Sequence, residues 1–476
     1  MGYKEFYENL NLTSEKLKNL ITERKDTLIV SDSSCDGIIS ASILVRAIWK
    51  LGGKATARFV KNINQDGFGD LKNEDHEFYF FTELGGGRGI SEFFSKLFSK
   101  KWILVGHNKL SFPEIATDDN NAILNPWKYD IDGDKEITSG GMSYFLVKNL
   151  DKRFTDLSPL AIVSALGEYQ DVGGKRSLIG LNNQILEDSK KNGLMQTDID
   201  LLLSFNESLP IHESIANTFI PYLHGLTCDS NKCLELLKNT SIELRKDGRW
   251  KTIADINQEE KFLIIESIKN HLNSQLNNNV KNLENFLIGY RYILLTEEYG
   301  SHLYDARRFS ELLNSCALSK KSGMGMSICL GERTESLEEA ERDVQEFKSS
   351  SQKLISKILK EKWRICDRGP LVLINAEGII EIDYVGYLFR LLTSHYHFMN
   401  KLIIMKISID ENYSKYFLSS GYEGVVDVEQ METQFSITTN KDIVKFSNDD
   451  GQIIIPVAQE DSLVSTILKL IKKNSK

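Results

Sequence analysis

Residues 27–44 read TLIVSDSSCDGIISASIL. An apolar run from Thr27 to Val30 meets a short polar turn. Behind the turn, ISASILVRAIWKLG (39–52) carries its apolar residues at helical spacing. The pattern is strand, tight turn, helix. Further apolar runs follow at 55–60 (ATARFV), 78–84 (FYFFTEL), 102–107 (WILVGH) and 121–126 (NAILNP). Strands alternating with helical patterns predict a parallel sheet covered by helices on both faces. Functional residues of such sheets gather at the carboxyl ends of the strands. The informative polar residues lie there: after TLIV, after FYFF and after WILV. A turn of acidic and small residues in that position is a place for a metal or a phosphate. This one offers only Asp32 and Asp36, among serines and a cysteine.

The chain has 476 residues, enough for two or three domains. Its formal net charge of −9 argues against a protein living on non-specific nucleic-acid contacts, which need a basic face, and suits one that docks on other proteins. Six cysteines in a chain this long make no disulfide framework, and the N-terminal MGYKEFYENLNL lacks the apolar core of a signal peptide. No apolar stretch approaches a membrane span. A reduced, cytoplasmic location follows as the expectation.

Three segments are expected: an α/β domain over 1–190, a mainly helical connection over 191–284 and a second α/β domain over 285–476, with a cleft between the two domains. In the middle segment, 198–209 and 259–276 read as amphipathic helices, and the Asn-rich 273–282 as a linker. In the last segment, GMSICLGE (325–332) and PLVLINA (370–376) read as strands, and 336–363 as one long helix.

Taken in order, the strand-end motifs resemble those of the DHH phosphoesterase family, in its archaeal RecJ-like exonuclease branch. IVSDSSCDG stands where the family has a HxDxDG-type motif, FTELGGG where it has an Asp followed by glycines, and ILVGHNK where it has Asp-His-His. LNPWKYDIDG and EITSGGMSYFLVKNL match an Asn-Pro strand end and a Gly-Gly helix start, and LAIVSALGEYQD the stretch bearing a fourth Asp. Segments from GLTCDSNKC and RRFSELLNSCALSKKSGMG also match. The resemblance implies a parallel-sheet DHH domain, a helical segment and a DHH-associated domain. It also implies a site where carboxylates and His hold two divalent ions roughly 3.5–4 Å apart to hydrolyse a phosphodiester.

The ligands themselves depart from the family. Asp32 replaces the first-motif His, Ser34 its first Asp, and Asp36 alone remains. Glu83 and Glu168 replace Asp, and Asp-His-His has become Gly106-His107-Asn108. Gly106, in the place of the bridging carboxylate, has no side chain. Glu83 and Glu168 are a methylene too long for a site that tolerates about 0.5 Å of misplacement. In the last domain the family's Arg is Leu318. Its glycine-rich nucleic-acid loop with a His corresponds to NDDGQIIIPVAQ, where Asp449, Asp450 and Gly451 stand without a His.

These positions therefore read as vestigial. The simplest role for Asp36 and Gly37 is a helix N-cap and turn, and for His107 a hydrogen-bonded strand end. Cys35, Cys316 and Cys329, with Met324 and Met326, read as core, Trp250 as packing the middle segment, and the acidic 338–347 as a solvated helix face.

The family includes a degenerate eukaryotic member, cell division cycle protein forty-five, which joins the MCM ring and the GINS complex as a helicase cofactor. The resemblance thus implies a catalytically inactive scaffold and activator of an archaeal replicative helicase. Its partners would be a GINS subunit and MCM, its hold on single-stranded DNA weak, and its cofactors none beyond a single weakly bound Mn²⁺ or Mg²⁺. Two alternatives are an exonuclease using Asp32, Asp36, Glu83, His107 and Glu168, and a sensor of nucleotides or short oligonucleotides.

Overall fold

The computed structural model describes residues 2–60, 76–84, 101–109, 121–276, 283–379, 385–394, 401–418, 445–447 and 452–474. The chain divides into two compact units. The first comprises Met1–Leu202 and Ile288–Gln345, the second Leu203–Leu287 and Glu346–Lys476.

The first unit is built on a five-stranded, all-parallel sheet: β1 (Asp26–Asp32), β2 (Lys54–Val60), β3 (Phe78–Thr82), β4 (Lys101–Val105) and β5 (Ala122–Leu124), in the order β2-β1-β3-β4-β5. Helix α1 (Gly2–Thr22) precedes it and α2 (Cys35–Lys50) follows β1. Strand β3 is buried along its whole length and β1 through its middle, as a sheet covered on both faces requires. Helix α2 is buried on almost every side, so its first turn lies inside the unit. The α/β, parallel-sheet expectation for this region holds.

Two elements differ from the sequence reading. Residues 195–201 form strand β6 (Met195–Leu201), antiparallel to the strand Ile288–Leu294, where a helix from 198 was expected. The ladder sets Ile199 opposite Tyr290 and Thr197 opposite Tyr292. Residues 325–332, expected as a strand, belong largely to the helix Ser322–Cys329. Gly325 lets that helix lie close against its neighbours: a Cβ there would stand 3.3 Å from Ile38 and from Leu313 and 3.4 Å from Cys316. This packing outweighs the β-like run of the segment.

The compact units divide the chain in their own way. Residues 288–345 pack with the first unit rather than opening the last domain, and the division falls inside the helix Glu335–Lys360. In the second unit the helix Gln258–Leu276 stands as expected and takes up the first residues of the supposed linker; 277–282 lie outside the described residues. A six-stranded mixed sheet runs Ile365–Asp367, Leu371–Asn375, Leu402–Ser408, Tyr413–Leu418, Gln452–Pro456 and Lys445–Ser447 in spatial order. Cys35, Cys316 and Cys329 are buried, Met324 and Met326 pack against the core, and Trp250 packs on His212 with ring centroids 4.9 Å apart.

Candidate functional site

The turn after β1 is shaped by two small residues. A Cβ at Gly37 would fall 2.1 Å from the Asp32 carbonyl oxygen, so no larger residue fits. Ser34 is the N-cap of α2, its hydroxyl accepting from Gly37 N at 3.1 Å, and the Asp32 carboxylate accepts from Ser34 N at 2.8 Å. Asp36 is therefore not the cap of α2. It is wholly buried and reaches across to the helix Ser139–Leu150.

There Asp36 Oδ2 accepts from Ser139 N at 2.9 Å, and Oδ1 from Gly140 N at 2.7 Å and from the Ser164 hydroxyl. The Thr138 hydroxyl takes the next free amide, Gly141 N, at 3.1 Å. The positive end of one helix is thus satisfied by a carboxylate from the start of another. A Cβ at Gly140 would stand 2.7 Å from Ser164 Oγ and 3.0 Å from Asp36 Oδ1, which explains the Gly-Gly helix start.

Glu83 follows β3 with a left-handed φ of 54°. Its Oε1 accepts from Asn108 Nδ2 at 3.1 Å and its Oε2 from the Ser139 hydroxyl. His107, two residues past β4, sits between the two acids. Its Nδ1 lies 2.9 Å from Glu83 Oε2 and 3.2 Å from Asp36 Oδ2. Neither contact has good hydrogen-bond geometry, so charge holds the ring. The backbone of this segment is clamped: Asn125 Nδ2 donates to the carbonyls of Gly106 at 2.7 Å and Asn108 at 2.9 Å, and Trp127 Nε1 to that of His107 at 2.7 Å.

Burial and charge set the protonation states. Burial works against a charge on His107, but Glu83 and Asp36 outweigh it and raise its pKa well above the usual value. Burial likewise opposes the charge on Asp36, yet His107, Ser164 and Gly140 N hold its pKa below the ordinary value. For Glu83 burial wins over His107, and with Asp36 and Glu168 adding repulsion its pKa stands at about 7. His107 is thus biased toward its charged form, between an acid held below its ordinary pKa and one raised to about 7.

Asp36, Glu83 and His107 form the one group among the described residues with three metal-capable ligand atoms within 4.8 Å of one another. One imidazole nitrogen and two carboxylate oxygens suit a single divalent ion. They do not fit a pair, for which no second group of three is present among the described residues. The carboxylate oxygens are also already engaged by amide and hydroxyl donors. Gly106 is buried, and a Cβ there would meet no atom of the described residues within 4 Å, so there is room at this position for a side chain.

Among the described residues, Asp32 and Glu168 are not members of this group of three. Asp32 is half-buried at the turn, its pKa pushed up to about 6 chiefly by burial, with Glu168 adding to the shift. Glu168 follows the helix Ser158–Gly167 and is near enough to be felt by Asp32, Glu83 and Cys35. Leu318 is the last residue of the helix Ala306–Leu318, and Asp449, Asp450 and Gly451 lie outside the described residues. Ser139, Ser164 and Asn125 escaped sequence reasoning. Their motifs were visible as helix start and strand end, but not the donors those motifs aim at Asp36, Glu83 and the Gly106 backbone.

Residues 206–284 match the DHH-CID domain. A protein of Methanocaldococcus jannaschii is 24% identical over 305 residues, which cover 63% of this chain and 63% of that relative's length. The structure of CDC45 from Entamoeba histolytica superposes with a TM-score of 0.64 at 14% identity, covering 97% of this chain and 99% of that one. RecJ of Thermus thermophilus in complex with Mn²⁺ superposes at 0.55 with 10% identity, covering 98% of this chain and 55% of that one. The fold is that shared by CDC45 and RecJ, as the order of the motifs implied.

Proposed function

We propose that this protein is a non-hydrolytic scaffold of the RecJ-like fold that works in a replicative-helicase assembly, docking on a GINS subunit and the MCM ring. The observation that carries this reading is the combination at the strand ends. The frame of a metal site is retained, down to the space at Gly106. Within that frame His107 lies 2.9 Å from Glu83 and 3.2 Å from Asp36, so the three groups pair with one another. A chain that keeps such a fold while consuming its charged groups internally acts through contacts. The near-complete superposition on CDC45 supports the same direction.

The test is size-exclusion chromatography with candidate GINS subunits at micromolar concentration. A stable complex is expected, with an interface of at least ordinary size, about 1,600 Å² in total. Separate elution of both proteins would remove the helicase reading.

A metal-dependent exonuclease remains the second reading, because Asp36, Glu83 and His107 are a genuine ligand group for one ion. In that case His107 would lose its proton and join the two carboxylates on the ion, which would act as a Lewis acid toward a phosphate oxygen. Hydrolysis of single-stranded DNA that depends on Mn²⁺ separates the two.

A further inference from the structure

Strand β6 (Met195–Leu201) has a strand neighbour on one side only among the described residues. Its ladder with Ile288–Leu294 fixes which way each residue points. Leu295 N donates to the Leu194 carbonyl at 2.9 Å, so the even-numbered residues of β6 turn their backbone groups toward that strand. Alternate residues of Ile288–Leu294 turn away from β6: Tyr290 N donates to the Lys175 carbonyl and Leu294 N to that of Tyr304, each at 2.8 Å. Met195, Thr197, Ile199 and Leu201 therefore face outward. The Leu201 N–H is taken by the Asp200 carboxylate at 2.7 Å. The outward N–H and carbonyl groups of Thr197 and Ile199 meet no hydrogen-bonding partner among the described residues.

Proteins usually blunt such an edge with proline, lysine or a bulge. Strand β6 has no proline or lysine, and its register runs through all seven residues without a bulge. Ile199 is 40% exposed on it. What the strand carries is acid. Gln196, Asp198 and Asp200 share the face opposite to that of Thr197 and Ile199. Arg291, directly across from Asp198, lies 3.8 Å from it and 3.5 Å from Asp305, so one guanidinium serves two carboxylates.

We propose that the outer edge of β6 takes up an extended segment of another protein as an added strand, one with lysine or arginine on each side of an aliphatic residue. Thr197 and Ile199 would supply the main-chain hydrogen bonds and Ile199 would pack on the aliphatic residue. Asp198 and Asp200 would meet the two cations across the new ladder. A second copy of this chain fits poorly. In an antiparallel pairing of β6 with itself centred on Asp198 or Ile199, aspartates of the two copies stand directly opposite one another, which is destabilising. The edge would recruit its segment whether or not a helicase assembly forms.

The test is fluorescence anisotropy of the full chain with the labelled, end-blocked peptide TVKVKVT, whose central valine can lie opposite Ile199 with a lysine opposite each aspartate. It should bind at least about tenfold more tightly than TVEVEVT, as two opposed pairs changed from attraction to repulsion give. Asp200→Lys should weaken TVKVKVT about fivefold and strengthen TVEVEVT by a similar factor. Ile199→Pro removes an outward N–H and none of those that serve Ile288–Leu294, and should abolish binding. Hydrogen exchange read at single residues should slow at the Thr197 and Ile199 amides with peptide and stay unchanged at those of Asp198 and Asp200. Because Asp200→Lys leaves every backbone group in place, it keeps the test open if Ile199→Pro folds poorly. No binding at millimolar peptide, equal affinity for the two peptides, or protection that falls outside 195–201 overturns the proposal. So does slowing of Thr197 and Ile199 exchange by raised protein concentration alone, which would make the occupant a second copy.

Discussion

The two charged regions of this molecule are opposites. At the ends of β1, β3 and β4, Asp36 and His107 are buried, Glu83 is largely so, and the three answer one another. At the basic end of the helix Glu335–Lys360 and just past it, five cations (Lys353, Lys357, Lys360, Lys362 and Arg368) are exposed and Trp363 stands open. In the first region the charged groups pair with one another inside the fold. In the second none of the cations meets a carboxylate among the described residues. The contrast teaches that a set of reactive-looking residues has to be read with its partners: the more complete the internal pairing, the less remains for a substrate.

If the buried region is held by charge, breaking it should be the costliest change. His107→Ala leaves two carboxylates buried without their cation. It should cost about 3–5 kcal/mol in urea unfolding, as loss of one partner of a buried pair does. A cost below about 1 kcal/mol would mean that His107 does not bind the acids together.

Gly106→Asp sharpens the same point. Its Cβ meets nothing within 4 Å, so the change is sterically free, but it adds a third carboxylate beside the other two. Without metal it should cost about 2 kcal/mol or more, as burying an unpaired charge does. Millimolar Mn²⁺ should restore the lost stability in the variant and raise the melting temperature of the natural chain little. Equal shifts in both would place the ion elsewhere.

pH provides a milder version. The folded pKa of Glu83, about 7, lies above its ordinary 4.5, so folding takes up a proton between those values and stability falls as pH rises through them. His107 is also raised: its contribution is complete below its ordinary 6.5 and is lost as pH rises toward its folded value. Both signs agree, and the melting temperature should fall steadily on going from mildly acidic to mildly alkaline buffer. Glu83→Gln should flatten the lower part of that slope. At the other extreme, K353E/K357E/K360E should change stability by no more than about 0.5 kcal/mol per site, because the side chains are exposed.

Much of this was legible before the structure. The run from Thr27 to Leu44 announced strand, turn and helix, and the strand-end motifs brought Asp36, Glu83 and His107 to one place. What could not be read was the partner of each group. Asp36 looked like a cap for its own helix, whereas the amides it serves, Ser139 and Gly140, lie more than a hundred residues away. Residues 195–201 are a strand because Ile288–Leu294 pairs with them, again a distant cause. That pairing also returns 288–345 to the first unit, which no local composition marks. The acidic start of the helix Glu335–Lys360 was noticed and its basic end was not. A charge run is judged by its neighbours in space, and Arg364 beneath Trp363 appears only in the fold.

The most direct test of the central claim, that the strand-end site holds the fold and does not hydrolyse, is a nuclease assay on labelled single-stranded DNA with millimolar Mn²⁺, run on the natural chain and on His107→Ala side by side. The account predicts no degradation by either protein above the buffer control. Processive degradation by the natural chain that disappears in His107→Ala would contradict it and make Asp36, Glu83 and His107 a working metal centre.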